Sequence, residues 1–362
     1  MVCFINRSTV DYDVRLQKYV QACIETNTPY MVLAWDRLKN CEKVYPNEIQ
    51  YKVYCPYGAG KKGAFAFLGW IVFVIWNLIR HFNAYKTIHA CNIENCLIAY
   101  WTKFFGKKLV FDIYDSANTK LEHKISPKVQ TLILPHELRL EPINLKESEL
   151  KRLMIVENVP VFHEGIAPKK NVEFPKIIHL SYVGIFEKSF RGLENLLELV
   201  ASDKRFILDI AGSGGGLDEV VKQYAQKCSR IKYHGKVQYL EALKIMNESD
   251  FIVAMYYLLN PIHKYASPNK FYESLYLGKP IITSKNTLVG KRVESDNTGY
   301  TIDDTLESLK SLFDQMETED FMESYQNKVN NCQNRWSKTY QNYFEQTLKG
   351  EYVSLIKQNA GL

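Results

Sequence analysis

Short apolar runs alternate with amphipathic stretches along most of the chain, the pattern of an α/β protein with parallel sheets. In the first half the runs predict strands at Val2–Ile5, Tyr30–Leu33, Tyr51–Tyr54, Thr87–Ala90, Leu109–Ile113, Thr131–Leu134 and Met154–Glu157. Between them, Asp13–Thr26 and Ile93–Phe105 carry helical periodicity. The rhythm breaks at Pro160–Pro175, where prolines, Gly165 and the pair Lys169–Lys170 interrupt any period; this stretch reads as a linker. It then restarts, with strands predicted at Ile177–Val183, Phe206–Ala211, Ile231–His234, Phe251–Met255, Pro280–Thr283 and Tyr300–Ile302. A mostly helical tail begins at Thr305 and runs to about Lys349. Two β/α halves joined by a linker predict two Rossmann-like domains, over residues 1–165 and 176–340. The last segment, 341–362, reads as a helical tail able to return to the first domain.

One segment departs from the alternation. Gly63–Ile79 is apolar almost all round and holds Trp70 and Trp76, with Lys61 and Lys62 before it and Arg80 and His81 after it. A spanning helix needs about 20 apolar residues, and this run is shorter. The tryptophans and basic flanks favour a helix lying in a membrane interface; the alternative is a core helix packed on the first sheet.

Composition narrows the function classes. The chain has 362 residues, 46% of them apolar and 24% charged, enough to bury a sizeable core. Its net charge of +6 suits a protein that handles anionic phosphates or touches an anionic membrane. No zinc-finger spacing, RNP-like motif or basic-aromatic repeat points to nucleic acid. The eight cysteines (Cys3, Cys23, Cys41, Cys55, Cys91, Cys96, Cys228 and Cys332) form no CxxC and no disulfide pattern, which fits a reducing cytoplasm. The N-terminus is strand-like from its second residue and lacks the charged and apolar regions of a signal peptide.

The most informative stretch is Tyr265-Ala-Ser-Pro-Asn-Lys-Phe-Tyr-Glu-Ser-Leu-Tyr-Leu-Gly-Lys-Pro-Ile-Ile-Thr-Ser284. Ser267 is a good N-cap and Pro268 a good first helical residue. Gly278 can end the helix, and Pro280 prevents its continuation into the following strand. A helix that starts abruptly after a loop offers free N–H groups to a phosphate. Lys270 adds a positive charge there, while Asn269 and Glu273, four apart, share one face. A carboxylate at that position can accept hydrogen bonds from a ribose diol; otherwise Glu273 is an exposed residue of an ordinary α/β helix.

This stretch resembles the donor-site helix of glycosyltransferase family 4, with its asparagine-lysine run, following glutamate and glycine-lysine-proline turn. The resemblance implies a GT-B fold, two Rossmann-like domains facing a central cleft. It implies that Glu273 binds the nucleotide ribose and that Ser267, Asn269 and Lys270 hold the diphosphate and sugar. A second family glutamate, eight residues earlier, is Tyr265 here. Val183-Gly-Ile-Phe-Glu-Lys-Ser-Phe-Arg-Gly192 resembles the family's basic pair between glycines: Arg191 keeps one cation, Ile185 replaces the other, and Lys188 stands nearby. Both cations are otherwise ordinary solvated residues. Ile210-Ala-Gly-Ser-Gly-Gly-Gly216 resembles the family's glycine-rich turn, with Gly212 and Gly214 beside the nucleotide. Leu217 stands where a dinucleotide fingerprint needs its third glycine. Tyr233-His-Gly-Lys-Val237 resembles the segment bordering the base, implicating His234, Gly235 and Lys236; for His234 a structural role is equally open.

In the first half the resemblance is thinner. Ile88-His-Ala-Cys-Asn92 and Val110-Phe-Asp-Ile-Tyr-Asp115 look like strand ends facing the cleft, making His89, Asp112, Tyr114 and Asp115 candidates near the transferred sugar. A histidine common in the family falls at Tyr114. Leu134-Pro-His-Glu-Leu-Arg139 also resembles the family, and Arg7 and Arg15 read as surface residues or as contacts to an anionic acceptor. The implied reaction is retaining transfer of a sugar from a nucleotide-sugar to an acceptor, with no cofactor. No metal is expected, since no DxD-type pair stands beside the donor motif. Lys188, Arg191 and Lys270 would carry charge on the departing diphosphate. The Gly63–Ile79 segment extends this to a polyprenyl-diphosphate-linked saccharide acceptor in capsule or O-antigen synthesis, with the protein peripheral on the inner face of the cytoplasmic membrane. Other readings are a nucleotide-sugar 2-epimerase, a non-catalytic partner subunit and, least favoured, a Rossmann oxidoreductase.

Overall fold

The strand β1 (Val2–Asn6) is buried at every position, as expected of a central parallel strand covered on both faces. In the computed structural model, which describes residues 1–56, 60–114, 119–161, 166, 176–315 and 318–361, it is followed by α1 (Val14–Glu25), β2 (Tyr30–Trp35) and β3 (Glu48–Tyr51). The chain continues through α2 (Gly60–Arg80), β4 (Thr87–Cys91), α3 (Asn92–Ala99), β5 (Lys108–Asp112), α4 (Thr119–Ile125), β6 (Thr131–Leu134), α5 (Leu140–Ile143) and β7 (Leu153–Ile155). These strands form one parallel sheet in the order β3-β2-β1-β4-β5-β6-β7.

The second half builds β8 (Ile178–Gly184), α6 (Leu193–Ser202), β9 (Phe206–Gly212), α7 (Asp218–Lys227), β10 (Ile231–Tyr233), α8 (Tyr239–Glu248) and β11 (Phe251–Val253). It closes with α9 (Asn269–Leu277), β12 (Ile281–Ser284), α10 (Leu288–Asp296), β13 (Gly299–Ile302), α11 (Leu306–Asp314) and α12 (Glu319–Arg335). Its parallel sheet has the order β10-β9-β8-β11-β12-β13. The chain divides into two compact units, Met1–Asn158 with Asn342–Leu362, and Val159–Gln341. Most of the linker read at Pro160–Pro175 lies outside the described residues.

All thirteen predicted strands exist, with one clear displacement. The run at Tyr51–Tyr54 predicts a strand that actually lies at Glu48–Tyr51. This is an edge strand, so it tolerates polar residues: Glu48 accepts from the N–H groups of Val10 (3.2 Å) and Tyr45 (2.9 Å). The apolar residues just beyond it serve another purpose, since the Val53 carbonyl accepts from the Trp35 indole (2.9 Å). The helix predicted over Ile93–Phe105 is α3 followed by a 3-10 turn, Tyr100–Phe105, ending at Gly106 with φ 77°.

In the first unit α1 begins where predicted, because Asp13 accepts from the Leu16 N–H at 2.8 Å. Residues after 341 pack on α1 and β4. Tyr352 Oη lies 2.8 Å from His89 Nδ1, the Tyr343 hydroxyl accepts from the Glu157 N–H, and Lys349 pairs with Glu25 at 3.1 Å. Lys18 is buried beside this seam, donating to the Glu157 carbonyl at 3.1 Å. Burial, with repulsion from Arg15, brings its pKa down to about 7. An unfolded lysine titrates near 10.4, so between these values the unfolded chain binds the extra proton, and stability rises with pH. In denaturant melts at pH 7, 8 and 9, the stability of wild type relative to Lys18→Met is expected to rise by up to about 1.4 kcal/mol per pH unit.

The helix α2 is neither wholly core nor wholly free. Ala66, Trp70, Val74, Asn77 and Leu78 face inward, where the Trp70 indole donates to Asn95 (3.0 Å) and its ring stacks on Trp35. At 21 residues it exceeds the run read from sequence and is long and apolar enough, by length and composition, to cross a membrane.

Candidate functional site

In an open parallel sheet, ligands gather at the carboxyl ends of strands where the order reverses. In the second unit this reversal lies between β8 and β11. The loop after β8 meets the glycine-rich loop after β9. Gly212 has φ 137°, and a Cβ there would sit 1.8 Å from the Gly184 carbonyl oxygen. Gly215 has φ 70° and the same intolerance towards Phe186 O, at 2.5 Å. The Lys188 N–H donates to Gly215 O (3.0 Å), and the Gly212 N–H donates to Gly235 O (2.8 Å), so the loops after β8, β9 and β10 are knitted by their backbones. The Gly214 N–H is engaged by Asp218 (2.9 Å). Gly212→Ala combines a clash with a forbidden φ and is expected to cost about 3 kcal/mol in chemical denaturation.

Lys188 is exposed, whereas Arg191 is held. Its Nε donates to Glu187 at 3.0 Å, and its guanidinium lies over the Tyr256 ring at 4.6 Å. Burial opposes the charge on Arg191, but Tyr256 and Glu187 outweigh it, and its pKa is raised. Tyr256 is itself placed by its N–H bond to Ser284 Oγ (2.9 Å). Neither Glu187 nor Tyr256 is singled out by sequence.

His234 also proves to be held. Its Nε2 lies 2.5 Å from Asp209 Oδ1, while Asp209 Oδ2 bonds His179 Nε2. Burial pushes the Asp209 carboxyl up, but the two histidines prevail and hold it below its ordinary range. His179 and Asp209 alternate with core residues in Ile178-His-Leu and Leu208-Asp-Ile, a period-two signal that was available in the sequence. Gly235 has φ 71°, and Lys236 is exposed.

The helix α9 follows the loop after β11 and its short 3-10 turn, Pro261–Tyr265. Its N-cap is Pro268, not Ser267, and Asn269 is the first helical residue. The Ser267 hydroxyl lies 3.2 Å from Tyr272 Oη, and the N-cap Pro268 makes no capping hydrogen bond of its own. The Phe271 N–H donates to the Pro268 carbonyl (3.2 Å), and the N–H of Asn269, the first helical residue, stands at the positive end of the helix dipole. Gly278 ends the helix at φ 66°, as predicted. Glu273 is fully buried, not exposed on a helix face, with Lys270 Nζ 3.1 Å from its Oε2. The Tyr239 hydroxyl adjoins the same carboxylate; burial, then the charge of Glu273, push the phenol's pKa well up. Glycine loops, Arg191 and the start of α9, with its Lys270 and buried Glu273, thus stand at the carboxyl edge of one sheet. This set offers N–H groups and cations to a diphosphate and a carboxylate to a diol.

The candidates of the first unit are placed differently. Asp112 is fully buried and receives Arg15 (2.8 and 3.0 Å), the Tyr19 hydroxyl (2.9 Å) and His89 (3.3 Å). The expectation that Asp112 and His89 face a substrate is corrected: every polar atom of the carboxylate is spent inside the unit. Arg15 is likewise not a surface residue. Tyr114 is partly buried, its ring 5.3 Å from the Arg15 guanidinium and its hydroxyl 3.2 Å from Cys91 Sγ. Arg7 pairs with Glu94 at 2.8 Å. Asp115 lies outside the described residues. Among the described residues, no group of three His, Cys, Asp or Glu side chains is arranged to hold a metal.

No protein-family profile matches the sequence, and no curated protein matches it. Solved structures do. The sucrose-phosphate synthase of Thermosynechococcus elongatus superposes with a TM-score of 0.73 at 13% identity, covering 100% of this chain and 99% of that one. Anabaena HepE, solved in complex with UDP and glucose, gives 0.68 at 12% identity over 99% of this chain and 100% of its own. WaaG, a glycosyltransferase involved in lipopolysaccharide biosynthesis, gives 0.64 at 12% identity with 100% of both chains covered. With two parallel-sheet α/β units and full-length likeness to these proteins, the chain has the GT-B fold.

Proposed function

We propose that this protein is a glycosyltransferase of the hexosyltransferase type that uses a nucleotide-sugar donor. The observation that carries the reading is Glu273, a fully buried carboxylate one turn inside α9 and beside Lys270. That HepE was solved with UDP and with UDP-glucose supports a nucleoside diphosphate donor. Glu273 takes the ribose hydroxyls; the helix start at Asn269, with Ser267 and Lys270, takes the diphosphate. Gly212, Gly214, His234, Gly235 and Lys236 border the nucleotide. As the sugar leaves, the diphosphate's growing charge falls on Lys188, Arg191, Lys270 and the N-terminus of α9; Arg191, held by Glu187 and Tyr256, needs little reorganisation to receive it. Tyr114 and Asp115 remain the first unit's candidates near the transferred sugar. Transfer proceeds with retention and without a resident metal or cofactor.

The acceptor in this reading is a saccharide on a polyprenyl diphosphate, extended during capsule or O-antigen synthesis. The protein then sits on the inner face of the cytoplasmic membrane, held through Gly63–Ile79. The exposed outer side of α2 supports that placement. A thermal-shift panel of UDP, GDP, ADP, CMP, NAD and sugar conjugates tests the donor class. A ligand present at about 100 times its Kd stabilises by about 2.7 kcal/mol. A response to NAD alone, or to nothing, overturns the proposal. Product analysis with the responding sugar conjugate, with and without lipid-linked acceptor, separates transfer from 2-epimerisation and from binding without turnover.

A further inference from the structure

The outer side of α2 is a continuous apolar stripe. Phe65, Leu68, Val72, Trp76 and Ile79 recur at steps of three and four residues, hence on one face. This stripe does not stand alone. Just past α2, the Phe82 ring meets Phe105 edge-on at 5.8 Å. Phe105 and its neighbour Phe104 lie in the 3-10 turn that follows α3, and their side chains also point outward. The five stripe residues, Phe104 and Phe105 are 55% to 77% exposed, while Phe82 is half-buried. Isolated exposed apolar residues are ordinary, but a run of this size marks an interaction surface.

Charge identifies the partner. Lys61, Lys62, Arg80, Lys86 and Lys108 are exposed around these elements. Between residues 60 and 111 the sequence holds a single acid, Glu94, which is occupied by Arg7. A second copy docked face to face would set these cations against themselves. A spanning helix would have to strip Trp70 from Trp35 and Asn95. A lipid surface with anionic headgroups satisfies both the apolar stripe and the surrounding cations, with tryptophan at the interface.

We propose that the first unit docks on anionic bilayers through two elements at once, the outer stripe of α2 and the Phe104–Phe105 turn. This deepens the membrane placement proposed above by adding a second anchor and a lipid charge requirement. It does not depend on the transfer reaction.

The test is co-sedimentation of the full chain with vesicles of phosphatidylcholine alone or containing roughly 30% phosphatidylglycerol. The wild type is expected to bind the anionic vesicles about tenfold more tightly than the neutral ones, and to be released at about 0.5 M salt. The pair Phe104→Ser and Phe105→Ser is expected to weaken binding about tenfold, as is the pair Val72→Ser and Trp76→Ser. All four positions are exposed, so unchanged melting temperatures verify folding. If the Phe104/Phe105 variant binds like wild type while the α2 variant does not, the second anchor is refuted and the membrane placement survives. Equal binding to neutral vesicles refutes the charge requirement. No binding to either vesicle overturns the proposal and the membrane placement together. So does a dimer, seen by light scattering, that the Phe104/Phe105 variant abolishes.

Discussion

Glu273→Ala is expected to weaken nucleoside diphosphate binding by roughly a hundredfold or more. Hydrogen bonds to a charged group contribute about 1.5–3 kcal/mol each, and a ribose diol offers two. The substitution also leaves Lys270 without the carboxylate that lies 3.1 Å away, so part of any loss reflects a displaced cation. Glu273→Gln separates these effects, since it keeps the volume and one acceptor while removing the charge. Calorimetry with the ribonucleotide and its 2′,3′-dideoxy analogue provides the decisive ratio. Wild type should discriminate strongly between them, and Glu273→Ala should bind both alike. Equal affinity of wild type for the two ligands would refute the ribose role, whatever happens to Kd overall. The ligand-free melting temperature of each variant shows whether burial of Glu273 serves folding as well as binding.

The two sheets and α9 were legible in the sequence because local signals agree there. Apolar runs of three to seven residues set the strands, and Gly278 and Pro280 stop the helix at the same place in pattern and structure. The one misplaced strand, β3, is an edge strand with glutamate and glutamine in it, where burial no longer dictates the pattern. The site was legible only in part. Glycines 212 and 215 announce a tight loop, and the structure adds what they are tight against, the backbone of the loop after β8. The partners that hold the site's side chains were hidden by distance along the chain. Tyr256 lies 65 residues from Arg191, and no local period links them. Ser267 was misread for a different reason: serine before proline is a good cap by composition, but the nearby Tyr272 hydroxyl competes for it.

Arg15 and Asp112 were misread most completely, and they should show the largest stability effects. Their side chains are 97 residues apart in sequence, yet Arg15 Nη2 lies 2.8 Å from Asp112 Oδ1, and Arg15 Nη1 donates to Val156 O and Asn158 Oδ1 (2.8 Å). The guanidinium therefore ties α1 and β5 to the segment after β7. Asp112→Ala leaves this guanidinium buried without its counter-charge, which is expected to cost about 3–5 kcal/mol in urea unfolding. Replacing both residues, Arg15→Met with Asp112→Leu, removes the uncompensated charge and should cost clearly less than the single change. If the double variant is as unstable as the sum of the single ones, the pair is not an energetic unit. The pH dependence follows with its sign. Burial works to raise the Asp112 pKa, but Arg15 and His89 prevail and bring it down to about 2. An unfolded aspartate titrates near 3.9, so the stabilisation is fully present above that value and is lost as pH falls from about 4 towards 2. Wild type should lose stability over that window more steeply than the double variant, and parallel acid-unfolding curves for the two would contradict the assignment.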